Sequence, residues 1–206
     1  MRRALSILCL LPAGCSSLTV PASVISTRTS GWHAVATQDD RDRLAGWRDA
    51  FTSALAALRA SGRAGEIARE GALLEPDAAL PNPQIPNGLY RCRVIKLGTK
   101  APGLLPFVAY PPFTCEVRQS GKLQSFAKLS GSQRQVGLIF PDNSVRSVFL
   151  GTLVLGDETR ALHYRTDENR DVAGYVERIA PNRWRLVMPS PHFESKLDVM
   201  ELVPAR

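Results

Sequence analysis

Five polar residues in the second half of the chain are candidates for acid–base chemistry. Asp157, Glu158 and Arg160 follow a strongly apolar segment, and Arg134 and His163 complete the set. Two neighbouring carboxyl groups can act as general acid and general base when their environments separate their pKa values. Adjacent strand residues point to opposite faces, however, so the two carboxylates need not share a site. We favour solvated turn charges or a structural arginine–carboxylate network, and we assign no catalytic residue.

The motifs of the commoner enzyme chemistries are missing from the sequence. The histidines His33, His163 and His192 are isolated and form no HExxH motif or helical pair, so no metal site is predicted. The chain has no G-x-S-x-G nucleophile elbow, no P-loop and no dinucleotide fingerprint. The sequence therefore predicts no cofactor and favours a role without catalysis.

The turn Ser130-Gly131-Ser132 has two interpretations. Its backbone amides could cradle an anion, with Lys128 and Arg134 close by. The turn could instead do no more than connect two strands of a hairpin. The sequence favours the hairpin and leaves the anion site open.

The first fifteen residues, MRRALSILCLLPAGC, have the layout of an export signal. Arg2 and Arg3 precede a short apolar run, and small residues then lead to Cys15. The apolar run is too short to span a bilayer, which needs about 20 residues. The end of the segment resembles a lipobox, which predicts lipid attachment at Cys15. The alternative is a leader that is cut later, after Ala22.

Two cysteines remain once the leader and its cut site are set aside. Cys92 and Cys115 both lie in strand-like segments. In the oxidising compartment to which export leads, such a pair predicts a disulfide. The alternative is a pair of buried free thiols, which are common in protein cores.

The composition indicates one soluble globular domain. The 206 residues are 44% hydrophobic and 22% charged, close to the average for folded domains. The formal net charge of +7 falls to +5 when Arg2 and Arg3 leave with the leader. The other basic residues are interspersed with acids. Because nucleic-acid binding needs a contiguous basic face, we exclude nucleic acid as a partner.

The chain divides into four parts after the leader. Residues 16–36, rich in Ser, Thr, Val and Pro, are predicted to be a tether. One globular domain over 37–204 follows. It consists of a helical part over 37–71, a proline-rich linker over 75–88 and a β-meander over 89–203.

Two helices and a series of short strands are predicted. An apolar stripe indicates one amphipathic helix from its N-cap, Thr37, to Gly62, and a second helix covers about 63–70. Alternating apolar residues predict strands at 89–97, 107–117, 123–129, 134–140, 145–155, 161–165, 171–179, 183–188 and 196–202. Both faces of 145–155 are apolar, so we expect the N-terminal helix to cover one of them. The predicted fold class is α+β, mainly antiparallel β, with an N-terminal amphipathic helix packed on an 8–9-stranded meander, either a small barrel or a sandwich.

Several segments together resemble one protein family. They are Trp47-Arg, Glu70-Gly-Ala-Leu-Leu, Tyr90-Arg-Cys-Arg-Val-Ile-Lys-Leu-Gly, Lys128-Leu-Ser-Gly-Ser-Gln-Arg, Phe149-Leu-Gly-Thr-Leu-Val-Leu-Gly-Asp-Glu and Trp184-Arg-Leu-Val-Met-Pro. The family comprises exported proteobacterial proteins catalogued as domain of unknown function 4893, and the similarity covers about residues 32–204. It implies an exported location and the domain boundaries, and it assigns no catalytic residue. In architecture, a helix followed by a disulfide-bearing meander is more loosely similar to calycin-type barrels, including lipocalins and periplasmic protease inhibitors.

These observations predict a protein on the periplasmic side of the cell envelope, in lipidated form an outer-membrane lipoprotein. The favoured role is a non-catalytic binding or structural module that takes an apolar small molecule, an envelope component or a protein partner. Contact with a membrane is expected only through a lipid at Cys15. The alternative is an envelope hydrolase with a non-standard active site drawn from Arg134, Asp157, Glu158 and His163.

Overall fold

A computed structural model describes residues 24–26 and 28–205 of the chain. Its helices are α1 (Gln38–Ala45), α2 (Trp47–Ala60) and α3 (Ala64–Glu70), with short 3-10 turns at Trp32–Ala34, Gly71–Leu74 and Glu168–Arg170. Its strands are β1 (Gly88–Leu97), β2 (Phe107–Ala109), β3 (Phe113–Ser120), β4 (Leu123–Lys128), β5 (Gln133–Pro141), β6 (Arg146–Leu155), β7 (Asp171–Ala180), β8 (Arg183–Pro189) and β9 (Leu197–Pro204). The predicted leader with Cys15, and the tether before Val24, lie outside the described residues. Within the described ranges no helix is long and apolar enough to cross a membrane.

Eight of the strands form a closed antiparallel barrel. From β3 onward each strand pairs with the next one along the chain, β1 pairs with β3, and β9 pairs back to β1 from Tyr90–Pro204 to Leu97–Leu197. A closed ring of strands has no free edge at which another chain could add a strand. The predicted α+β fold with an antiparallel meander is confirmed. Of the two architectures left open by the sequence, the structure shows the barrel.

The strand predicted at 107–117 is broken into two. β2 pairs with the end of β1 and β3 pairs with its beginning, both on the edge of β1 that faces away from β9. Pro111 and Pro112 stand between the two pieces. Proline lacks the backbone N–H that a continuous strand would donate, so the ladder is interrupted there.

The prediction of a strand at 161–165 is wrong, because β6 pairs directly with β7 and the segment between them is a loop. Tyr164 in this loop contacts the start of α1 instead of a neighbouring strand. Tyr164 is buried, its hydroxyl donates to the Asp40 carboxylate, and the hydroxyl oxygen accepts from the Thr37 N–H at 3.1 Å. The loop thus holds the start of α1 against the barrel.

The single helix predicted from Thr37 to Gly62 is two helices. Thr37 is the N-cap as predicted, since its Oγ1 accepts from the backbone N–H of Asp40 at 3.1 Å. Gly46 is both the C-cap of α1 and the N-cap of α2, and its carbonyl accepts a hydrogen bond from the Ala50 N–H at 3.1 Å. Glycine has a low helix propensity and tolerates such a break. The second predicted helix is confirmed as α3.

Three apolar clusters fill the barrel and cover its outer wall. The cluster inside the barrel contains Ile85, Tyr90, Cys92, Val94, Cys115, Val117, Phe126, Ile139, Phe149, Leu153, Val172, Val176, Trp184, Leu186, Met188, Met200 and Leu202. Outside, the N-terminal segment and α1 cover β4 to β7, while α2 and α3 cover β1, β8 and β9. The outer residues of β6 belong to one apolar cluster with Leu44 of α1 and with Val24, Ile25 and Trp32 from the segment predicted to be a tether. The main strand contact of α1 itself is with β7.

The predicted disulfide between Cys92 and Cys115 is confirmed. Both cysteines are fully buried inside the barrel, on the paired strands β1 and β3, with their Cα atoms 5.9 Å apart. The bridge therefore fastens β3 to β1 just beyond the point where prolines interrupt the wall.

The proline-rich linker 75–88 closes one end of the barrel. Ile85 belongs to the interior cluster, and the Tyr90 hydroxyl donates to the Pro86 carbonyl at 2.6 Å. The side-chain amide of Gln124 donates to the Ile85 carbonyl at 2.7 Å. At the opposite end, which we call the mouth, the connecting loops are 98–106, 129–132, 156–170 and 190–196.

Arg185 fastens the linker to the outer wall of the barrel. Its side chain is fully buried beside Glu177, whose carboxylate lies 2.7 Å away. The same guanidinium donates to the backbone carbonyls of Leu73, Glu75 and Pro76 at 2.7 to 3.0 Å. One arginine thus satisfies carbonyl groups that no regular structure would pair.

Candidate functional site

A cavity of about 420 Å³ occupies the mouth of the barrel. Its apolar wall consists of Val94, Tyr110, Pro111 and Phe113, and its polar lining of Lys96, Lys128, Gln133, Gln135, Glu194 and Asp198, together with Gly131 and Ser132 of the turn between β4 and β5. The polar residues come from inward-facing positions at the mouth ends of β1, β4, β5 and β9, except Glu194, which lies in the loop 190–196. The apolar cluster lies deeper, so the barrel interior changes from polar at the mouth to apolar below it.

Lys128 is a buried cation without a carboxylate partner. Its side chain lies on the cavity and the residue is only 4% exposed. Its Nζ donates to the Gln133 carbonyl at 2.8 Å and lies 3.7 Å from the centroid of the Phe113 ring. Within the described part of the chain no carboxylate forms an ion pair with it. Burial, together with smaller effects of the positive charges of Arg134 and Lys96, lowers the pKa of Lys128 to about 8.

Lys96 lines the same cavity but is neutralised. Its Nζ lies 2.9 Å from the Glu194 carboxylate and 3.4 Å from the Asp198 carboxylate, and it donates to Gln133 Oε1 at 3.1 Å. Burial lowers the pKa of Lys96, but the two carboxylates outweigh burial and raise it overall. Gln133 therefore stands between two lysines, of which Lys128 alone lacks a counter-charge.

Gln135 supplies an unused hydrogen-bond acceptor. The residue is 4% exposed, and its Oε1 has no partner among the residues that the structure describes. A buried acceptor without a donor costs free energy, so such atoms usually have a role. Because Gln135 lines the cavity, a donor group on a bound molecule would satisfy it.

The turn that connects β4 and β5 shapes the site. The hairpin interpretation of Ser130-Gly131-Ser132 is confirmed by the pairing of the two strands. Gly131 has φ +90°, and a Cβ added there would lie 2.8 Å from both Lys128 Nζ and the Phe113 ring. Only glycine therefore leaves room for the lysine and the ring together.

The family of the chain is shown by a family model for a domain of unknown function, DUF4893, which matches residues 32–202. The chain belongs to the DUF4893 family. The match runs from the first 3-10 turn into β9 and includes every residue that lines the mouth cavity. No curated protein and no solved structure matches the chain.

The polar residues predicted from sequence lie elsewhere in this DUF4893 protein. Arg134 points to the outer face of β5, where it donates to the carbonyls of Gly131, Gly156 and Glu158 at 2.6 to 2.8 Å. The Glu158 carboxylate accepts from the Leu155 N–H, pairs with Arg170 at 2.7 Å, and has its pKa lowered by these two contacts in that order. Arg134 thus contacts Glu158 through the backbone carbonyl of Glu158 and not through its carboxylate.

The other members of that set are Asp157, Arg160 and His163. All three are exposed in the loop after β6, and none lines the mouth cavity. This arrangement agrees with the structural network that the sequence favoured, and it gives the hydrolase alternative no shared pocket at the mouth. In the described residues, no group of three or more His, Cys, Asp or Glu side chains could hold a metal ion.

Sequence reasoning missed most of the cavity lining in this DUF4893 domain. Lys128 entered as a neighbour of the turn, and Lys96 and Gln133 entered only inside the segments that carry the family resemblance. Gln135 and Asp198 were not singled out. A signal for them exists in the strand alternation. On β1 the inward positions Tyr90, Cys92 and Val94 are followed two residues later by Lys96, so a charge stands where an apolar side chain would continue the pattern.

Proposed function

We propose that the protein is an exported, non-catalytic binding module whose ligand is a small organic anion with a short apolar part. The observation that carries this proposal is the Lys128 ammonium, which is buried at the cavity without a carboxylate partner. Taking a charge out of water is unfavourable unless an opposite charge or strong hydrogen bonds compensate it. An anionic group bound in the mouth would supply the missing compensation.

The dimensions of the cavity support a small ligand. A volume of about 420 Å³ lies within the range of about 300–1,000 Å³ that is usual for small-molecule sites. Below the cavity the interior is filled by buried side chains, among them the Cys92–Cys115 bridge and Met200. A long acyl chain would find no space there, so the apolar part of the ligand is short.

The wall of the cavity supports a ligand of mixed character. Val94, Tyr110 and Phe113 offer apolar contact, and Lys128 offers a positive charge. The free Oε1 of Gln135 adds a place for one hydrogen-bond donor. A carboxylic acid with a short alkyl or aryl substituent meets these requirements, and the purely apolar ligand expected from sequence meets only the first.

An exported location is part of the proposal. It rests on the leader sequence that ends at Cys15, and the Cys92–Cys115 disulfide supports it because disulfides persist in oxidising compartments. A periplasmic binding module held at the outer membrane through lipid on Cys15 combines these features. Cell fractionation of the native host, with detection of the chain in spheroplasts and in the periplasmic and membrane fractions, tests the location.

Calorimetric titration with octanoate tests the site. We expect octanoate to bind the purified protein, and Lys128→Met to weaken binding at least about tenfold, since a charge-assisted hydrogen bond is worth about 1.5–3 kcal/mol. Lys122→Met is the matched control because Lys122 is exposed in the hairpin at the closed end. Thermal unfolding of each variant checks that it is folded. Equal affinity in the wild type and Lys128→Met, or tighter binding of octylamine than of octanoate, would overturn the proposal.

A further inference from the structure

Resting on the proposed function, we infer that the mouth cavity takes 2-oxo acids and that the Lys128 amine forms a reversible imine with their 2-oxo carbon. The inference concerns the class of ligand and the bond that holds it. It is carried by the position of Lys128 Nζ in the cavity and by the small number of its partners.

The nitrogen of Lys128 is free to react once it loses its proton. Its partners are the Gln133 carbonyl at 2.8 Å and the face of the Phe113 ring at 3.7 Å. Both interactions favour the ammonium form, and neither blocks the lone pair of the neutral amine. A side chain at Gly131 would clash with Nζ, because its Cβ would lie 2.8 Å away, so glycine allows Nζ to keep this position in the cavity.

The amine form of Lys128 is accessible near neutral pH. Burial, with the charges of Arg134 and Lys96, lowers the pKa of Lys128 to about 8 from the ordinary value of 10.5. A lysine desolvated beside other cations is a common way for proteins to obtain a nucleophilic amine. Lys96 is unsuited to this reaction because Glu194, Asp198 and Gln133 hold its Nζ and favour its charged form.

The chemistry of the imine explains why a 2-oxo acid fits better than a plain aldehyde. The Lys128 nitrogen forms a bond to the carbonyl carbon, the carbonyl oxygen takes up two protons and leaves as water, and the nitrogen gives up two protons. Amine and ketone thus yield imine and water, and no oxidant or reductant is needed. When the imine is protonated it carries the same positive charge as the ammonium did, so the adjacent carboxylate of a 2-oxo acid keeps its counter-charge.

Borohydride trapping with 2-oxooctanoate tests the inference. The purified protein is incubated with 2-oxooctanoate at pH 8, reduced with cyanoborohydride and examined by intact mass and peptide mapping. We expect a mass increase equal to the probe less one oxygen atom, with labelling of Lys128 at least tenfold above that of the exposed Lys100, Lys122 and Lys196. Octanoate, which has the same chain and carboxylate but no ketone, should compete and suppress the label.

Two variants and one comparison make the outcome decisive. Lys128→Arg has no primary amine at this position and should form no adduct, whereas Lys122→Arg should label like the wild type. If Lys128→Arg does not fold, protection of Lys128 by octanoate in the wild type decides instead. Equal labelling of all lysines, or no label on a protein that binds 2-oxooctanoate, would overturn the inference. Binding of octanoate without any adduct would leave the proposed function intact, so the two failures are distinguishable.

Discussion

The Nζ of Lys128 lies 3.7 Å from the centroid of the Phe113 ring, inside the mouth of the barrel. The two residues are inward-facing and come from strands that pair with each other, β3 and β4. A cation over an aromatic face is stabilised by the ring quadrupole, and more so when water is excluded. Phe113 therefore stabilises the Lys128 ammonium by a cation–π interaction, which takes the role that a carboxylate has in an ordinary ion pair.

Replacement of Phe113 should change the pKa of Lys128. We expect Phe113→Leu to lower that pKa below about 8, because leucine fills apolar space but offers no quadrupole to the ammonium. Carbon-13 NMR of the reductively methylated protein measures the value directly. Phe193→Leu is the control, since Phe193 is an exposed aromatic residue in another mouth loop. A Lys128 pKa that is unchanged or higher in Phe113→Leu would contradict the role given to the ring.

The affinity for a carboxylate ligand should depend on pH through Lys128. The groups that face its Nζ are the Gln133 carbonyl and the Phe113 ring, with the charges of Lys96 and Arg134 behind them. Because the pKa of Lys128 is about 8, we expect octanoate affinity to be constant from pH 6 to pH 7 and to fall by about tenfold per pH unit well above 8. Titrations at several pH values measure this. Affinity independent of pH up to 10 would contradict it.

The stability of the protein should carry the opposite pH dependence. The pKa of Lys128 is about 8 in the folded chain and near 10.5 in the unfolded one, so the unfolded chain binds more protons between these values. The free energy of unfolding should therefore rise with pH between about 8 and 10.5 through this residue. Urea unfolding of wild type and Lys128→Met across that window isolates the contribution. A Lys128→Met curve parallel to that of the wild type would exclude it.

The sequence predicts the barrel better than it predicts the site. Eight of the nine predicted strands exist, and one of them, 107–117, covers both β2 and β3. Alternating apolar residues identify them because each inward residue of a small barrel meets the same apolar interior. The helix break at Gly46 and the strand break at Pro111 lie at residue types that interrupt such elements, glycine in a helix and proline in a strand. Lys96 and Asp198 become neighbours only when β9 closes on β1, and no local pattern reports that pairing. The cavity depends on closure and is therefore hidden from the sequence.

Lipid attachment at Cys15 remains a prediction from the leader alone. Labelled palmitate should enter the wild-type chain in its native host, and Cys15→Ala should abolish the label because no thiol remains at that position. Cys92→Ala is the control, since Cys92 belongs to the disulfide inside the barrel. Equal labelling of wild type and Cys15→Ala would exclude this attachment site, and absence of label from the wild type would favour the leader that is cut after Ala22.

The Cys92–Cys115 disulfide should contribute to stability. The bridge joins residues 23 positions apart, and loops of this size give about 3 kcal/mol. We therefore expect the double variant Cys92→Ala, Cys115→Ala to lower the free energy of urea unfolding by about that amount. Mass analysis of the native protein before and after reduction should differ by two hydrogen atoms. Alkylation of both thiols in unfolded, unreduced protein would contradict the bridge.

Arg185 should be the most sensitive of the charged residues outside the cavity. Its fully buried side chain lies 2.7 Å from the equally buried Glu177 and holds the linker through the carbonyls of Glu75 and Pro76. Glu177 would keep a second partner, Arg146, at 2.5 Å, but the buried backbone carbonyls would lose their donor, and each buried acceptor left unsatisfied costs about 1–3 kcal/mol. We expect Arg185→Ala to lower the free energy of urea unfolding by at least about 3 kcal/mol. Arg118→Ala, which removes a side chain 71% exposed, should leave the free energy of unfolding unchanged within error.

Arg185→Lys is a milder variant that tests whether the two ends of the barrel are independent. The linker closes the end opposite the mouth, so we expect this variant to lose stability and still bind octanoate. A loss of octanoate binding in proportion to the loss of stability would show that the two ends are coupled.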